Sequence, residues 1–148
     1  MFRSIGYFEG FGLDRPCLFQ DARQLDLTQY THVHFAFATL TSDYQVQVGN
    51  LLSSYEFGVF RALQGPKRIL SIGGWVFSTS PSTYLVFREG VKAANRVTMA
   101  RNIANFVNDN GLDGVDIDWE YPGVCIFQSC LALASSVDSS NFGWLCMS

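Results

Sequence analysis

The chain has 148 residues, of which 15% are aromatic and 16% charged, and a formal net charge of −3. Its basic residues are scattered and outnumbered by acids, which argues against the cationic groove a nucleic-acid binder needs, so no nucleic-acid partner is expected. No stretch of eighteen apolar residues occurs, and no membrane span is expected either.

Strands are expected at 3–8, 32–39, 68–72 and 114–119, each a short β-branched or aromatic run bounded by turn residues. Between the second and third, 53–64 carries Phe57, Phe60, Ala62 and Leu63 among polar residues and runs into Gly65-Pro66, a helix stop signal. Ser80-Pro81 reads as an N-cap and first helical position, opening a helix through Tyr84, Phe87 and Val91. From 95 to 108, Val97, Ala100, Ala104 and Val107 fall at i, i+3, i+7 and i+10, with Gly111 beyond as a C-terminal stop. Strands alternating with helices imply parallel β/α units.

The last expected strand carries the chemistry. In Gly114-Val115-Asp116-Ile117-Asp118-Trp119-Glu120-Tyr121, three acids alternate with three apolar residues. A period of two puts Asp116, Asp118 and Glu120 on one face and Val115, Ile117 and Trp119 on the other. Acids two apart on one face stand roughly 6.5 Å from each other, near enough in a dry site to raise one another's proton affinity. At least one carboxyl is expected to stay protonated near neutral pH, as general acid catalysis requires. Two plainer readings compete. A divalent cation takes oxygen ligands, but it favours a flexible turn with a central glycine, which rigid Val, Ile and Trp do not offer, so no metal is expected. A solvated edge strand would also alternate. Against it, Trp119 and Tyr121-Pro122-Gly123 put aromatic surface beside the terminal acid.

Asp113-x-x-Asp116-x-Asp118-x-Glu120 followed by Tyr121-Pro122 resembles the active-site signature of the chitinases of glycoside hydrolase family 18. Ser71-Ile72-Gly73-Gly74 at the end of the third strand resembles that family's second signature, Ser-x-Gly-Gly. Segments 6–8, 14–18 and 30–37 are further similar to the fungal chitinases related to killer-toxin subunits. The resemblance implies a TIM (β/α)8 barrel. Such a barrel takes about 250 residues, so a partial one of roughly the first four β/α units is expected. It implies no cofactor, and chitin or chito-oligosaccharides as partners. The open edges of a half sheet would also allow self-association.

Glycosidic cleavage normally uses two carboxyls, and this family is an exception in which the substrate assists. Glu120, at the C-terminal end of its strand where barrel active sites lie, is the expected general acid. The sugar's own 2-acetamido oxygen would attack C1, and ionised Glu120 would then activate water, with net retention. Asp118 is expected to hold the acetamido N–H, and Asp116 to share a proton with it as a coupled pair. By the resemblance, Tyr7 and Ser71 would supply hydroxyls to that pair; otherwise they are buried hydroxyls satisfied by backbone. Asp113 falls off the alternation, where a structural role competes with a catalytic one.

Gly73, Gly74, Trp75 and Tyr121 complete the expected sugar site, because sugar rings stack on aromatics and glycines permit close approach. His32 and His34 are read as strand residues and not as metal ligands, since no third ligand is evident. Phe11, Phe19 and Phe77 fit a cleft lining or the core equally. The family's Tyr and Asp on the sixth strand and Trp on the eighth have no counterpart in this sequence. A non-catalytic, lectin-like chitin-binding module and an inactive gene fragment are therefore the alternatives.

Residues 124–148 differ in character from 1–123: they hold one charged residue, Asp138, and three of the four cysteines, Cys125, Cys130 and Cys146. The shift marks an expected boundary. It reads as intron read-through or a shifted frame, or else as a short amphipathic helix over 126–134 that covers the sheet. Cys17 would be either a disulfide partner or a buried free thiol. Met1-Phe2-Arg3 leads straight into a strand, so no signal peptide is expected in this chain, although the parent enzyme would be extracellular.

Overall fold

The computed structural model describes residues 2–17 and 19–123. The tail boundary, the helix at 126–134 and three of the cysteines lie outside them. β1 (Ile5–Glu9), β2 (His32–Leu40), β4 (Lys67–Gly73) and β5 (Gly114–Asp118) form a parallel sheet in the order β1-β2-β4-β5. The short β3 (Val46–Gln47) adds to the end of β2 in antiparallel fashion. Helices α1 (Leu51–Phe60), α2 (Gly74–Thr79), α3 (Leu85–Gly90) and α4 (Arg96–Asp109) fill the connections. Among the described residues, the sheet is open and corresponds to the first part of a (β/α)8 barrel. Each expected strand is present, with its ends within two residues of those expected.

One face of the sheet holds the core. Phe8, Val33, Phe35, Leu70 and Ile72 are all buried on it. Phe35 is the hub, its ring 5.2 Å from Phe57 and 5.4 Å from Phe60 of α1 in edge contacts that suit the aromatic quadrupole. The register of β2 against β4 slips between Ala36 and Ala38, and beyond the slip Ala38 and Leu40 are buried as well.

Three helix expectations are corrected. The first helix starts earlier and stops earlier than 53–64, because the Asn50 side chain caps it by accepting the Ser53 N–H at 3.0 Å. Ser80-Pro81 does not open a helix. Ser80 is the C-cap of α2 and Pro81 follows it, a stop arrangement, while α3 begins only at Leu85. In α4 the face toward the core is Met99, Ile103 and Phe106, not the predicted stripe, and Val97 is 58% exposed. The larger side chains remove more apolar area from water than the alanines do, so they set the helix rotation.

Ala100, Ala104 and Val107 instead line an apolar groove with Val115, Ile117 and Trp119 on the outer side of β5. Trp119 packs against Phe87 at 5.4 Å, with the Arg88 guanidinium 5.7 Å above its ring. It thus belongs to the outer layer and not to the acid face. Cys17 is exposed and forms no disulfide among the described residues, which corrects the expectation of a buried thiol.

Candidate active site

Neighbours in register on a parallel sheet point the same way. Tyr7 stands beside His34, Ser71 beside Asp116 and Gly73 beside Asp118. The sheet face opposite the core therefore collects side chains that lie far apart in sequence. Asp116 Oδ2 is their meeting point: it accepts from Ser71 Oγ at 2.8 Å and from Tyr7 Oη at 2.9 Å, and His34 Nδ1 stands 3.2 Å away. Desolvation alone would raise the Asp116 carboxyl, but hydrogen bonds from Ser71, Tyr7 and His34 outweigh it and hold the acid below its ordinary range.

Asp118 is pushed the other way. Desolvation is the main cause, and the charges of Glu120 and Asp116 add to it. The two aspartates are thereby split into an anion and a carboxyl that retains its proton to higher pH. The Tyr7 phenol is pushed up to about 12 by desolvation, by its hydrogen bond to Asp116 and by the charges of Asp116 and Asp118. Tyr7 is 56% exposed, and its hydroxyl donates to the acid.

Glu120 lies just past β5. Its backbone N–H donates to Ser78 Oγ at 3.0 Å, and Ser78, on α2, is buried. Trp75 and Tyr121, at 59% and 55% exposure, stand at the same C-terminal end of the strands. Gly73 and Gly74 are required there, with φ of +121° and +82°, but the approach they permit is within the protein. A Cβ on Gly73 would meet the Asp118 carbonyl oxygen at 2.2 Å, and one on Gly74 would meet the Phe37 ring at 3.0 Å.

Asp113 does not join the site. It sits at the start of β5 and accepts from Lys67 Nζ at 2.8 Å and from the Arg68 backbone N–H at 2.9 Å. Those bonds pull its carboxyl down to about 2, so its role in the described structure is to pin β5 to the start of β4. Sequence reasoning missed Ser78 and read His34 only as a strand residue. The signal for His34 was a polar side chain two residues from another in an otherwise apolar strand.

A family model described as Glycosyl hydrolases family 18 matches residues 3–145. The chain is 54% identical over 144 residues to a probable chitinase, LysM18, of Penicillium expansum, covering 95% of this chain and 10% of that protein. It is 54% identical over 121 residues to the secreted chitinase LysM12 of the same organism, covering 82% of this chain and 8% of that protein. It thus spans about a tenth of the length of these relatives. Among solved structures, the chitinase domain of the spore coat protein CotE from Clostridium difficile superposes with a TM-score of 0.60 at 27% identity. That match covers 81% of this chain and 30% of the other.

Proposed function

Because this chain belongs to the glycosyl hydrolases of family 18, we propose that its acid face is the proton-handling half of a chitinase site acting on β-1,4-linked N-acetylglucosamine polymers. The observation that carries the reading is the split between Asp116 and Asp118: one acid is held ionised by hydrogen bonds and the next, beside Glu120, is pushed toward its protonated form. In this reading Glu120 donates its proton to the glycosidic oxygen. The substrate's acetamido oxygen closes on C1, and Asp118 holds the acetamido N–H while the positive charge develops. Asp116, fixed by Ser71 and Tyr7, stabilises the pair as the proton settles on Asp118. Ionised Glu120 then takes a proton from water, whose oxygen bonds to C1 as the acetamido oxygen leaves it, and the two displacements retain the configuration.

Exposed Trp75 and Tyr121 supply aromatic faces for sugar rings, and a secreted relative supports an extracellular setting. General acid catalysis contributes about 10²- to 10⁴-fold, and positioning must supply much of the rest. The described residues form four parallel strands, so we expect the isolated 148-residue chain to bind chitin but to hydrolyse it little. Retention on chitin beads, displaced by chito-oligosaccharides and not by cello-oligosaccharides, tests the recognition of N-acetyl groups. Equal displacement by both would sink the chitin reading. Release of soluble oligomers from colloidal chitin, abolished in Glu120→Gln, would overturn the expectation of low turnover. A non-catalytic binding module is the second reading, favoured by the openness of the face on which Tyr7 is 56% exposed.

A further inference from the structure

His34 is buried in the central strand β2 on the same face as Tyr7, its ring 4.6 Å from the Tyr7 ring. Its Nδ1 stands 3.2 Å from Asp116 Oδ2, the oxygen that also accepts from Ser71 and Tyr7. An ionised carboxylate only accepts hydrogen bonds, so a bare ring nitrogen at that distance would set two lone pairs against each other. Nδ1 must therefore carry the hydrogen, since the tautomer of a histidine is fixed by the partner it meets. Among the described residues, the titratable groups in contact with the ring are Tyr7 from β1 and Asp116 from β5. Ser71 of β4 approaches the same oxygen, and His32 on the same strand is occupied by Thr31 Oγ1 at 2.8 Å.

We propose that His34 is a positioning residue of the acid face: its Nδ1–H, delivered to Asp116 Oδ2, completes a three-donor cradle that keeps Asp116 the anion and leaves the pair's proton on Asp118, next to Glu120. The proposal rests on the reading of these acids as the working groups. The contact needs the same Nδ1–H whether the imidazole is neutral or charged. His34 acts only through Asp116 and touches no reacting atom.

The test is nuclear magnetic resonance on the full chain, which requires no turnover. The nitrogen spectrum of His34 should report a protonated Nδ1 at neutral pH. The carboxyl carbon of Asp116 should titrate about one pH unit or more higher in His34→Leu, as expected from losing a hydrogen bond to a charged group. In His34→Asn, whose amide N–H falls near the position of Nδ1, the midpoint should return toward that of the unmodified chain. A bare Nδ1 in the unmodified protein overturns the proposal even if both variants fail to fold. An Asp116 that moves equally in both variants, or in neither, overturns it too and leaves His34 as packing. A chain that ignores chitin while His34 behaves as described would sink the chitinase reading and not this one.

Discussion

Ser78 Oγ accepts the backbone N–H of Glu120 at 3.0 Å, so a buried hydroxyl on α2 fixes the main chain of the proposed proton donor. The same hydroxyl lies 3.5 Å from the Asp118 carbonyl oxygen, a longer and weaker contact. The Ser-x-Gly-Gly segment and the acid segment are thus joined through α2 as well as through the sheet.

Ser78→Ala leaves the Glu120 N–H without its partner in a partly buried place. The expected cost is about 1–3 kcal/mol of stability, read from denaturant unfolding. A loss near zero would mean that water replaces the hydroxyl and that Ser78 does not hold Glu120.

Desolvation is the main cause of the raised Tyr7 phenol, and Asp116→Asn removes the charge that adds to it. With its hydrogen-bonding anion gone, the Tyr7 phenol should titrate below its present value of about 12, moving toward the ordinary tyrosine range. Ultraviolet difference titration against Tyr7→Phe isolates this one phenol. An unchanged midpoint would mean that desolvation alone sets it.

Asp113 gives the fold an acid dependence independent of the site. Its carboxyl is held at about 2, with the Arg68 backbone N–H as the main cause, then the Lys67 side chain. A carboxyl depressed on folding stabilises the protein fully above its unfolded value, and that contribution fades as pH falls through the folded one. The window is therefore about pH 4 to 2. Lys67 is well exposed, so solvent screens its share, and roughly 1 kcal/mol is at stake. Asp113→Asn should lower the melting temperature at pH 6 and flatten its decline between pH 4 and 2. A decline as steep as that of the unmodified chain would assign the acid sensitivity elsewhere.

The strands were legible because β-branched and aromatic residues cluster between turn residues, and the three acids because they are neighbours in one strand. The partners of those acids were not legible from spacing: Tyr7 and Ser71 were expected only through the family resemblance, and His34 was read as a strand residue. His34 is 82 residues from Asp116 and Tyr7 is 109, and only the order β1-β2-β4-β5 brings them together. Helix α4 was placed correctly along the chain but rotated, since evenly spaced alanines imitate a buried stripe while Met99, Ile103 and Phe106 carry the packing. Helix α2 was hidden because a Gly-Gly pair argues locally for a turn, and that pair is the helix's N-cap and first residue.

Gly73→Ala should be among the most damaging small substitutions in the chain. The new methyl would lie 2.2 Å from the Asp118 carbonyl oxygen, backbone that cannot yield without parting β4 from β5. Left-handed backbone adds about 1–2 kcal/mol for any side chain. Gly65→Ala is the control: φ is +106° there as well, but nothing stands within 4 Å of the added carbon. A loss for Gly73→Ala no larger than for Gly65→Ala, by chemical denaturation, would show that the strand ends are looser than this contact requires.

The edges of the sheet predict how the isolated chain behaves at high concentration. β1 and β5 each pair on one side only among the described residues, and Val115 and Ile117 on β5 are 43% and 46% exposed. Unpaired backbone beside exposed β-branched residues is a template for another strand. Sedimentation velocity should show self-association that grows with concentration. Ile117→Lys, which puts a charge on the outer side of β5 away from the acid face, should reduce it while leaving the carboxyl titrations in place. If the chain stays monomeric at the highest soluble concentration, these edges are protected and the open sheet is not the route to assembly.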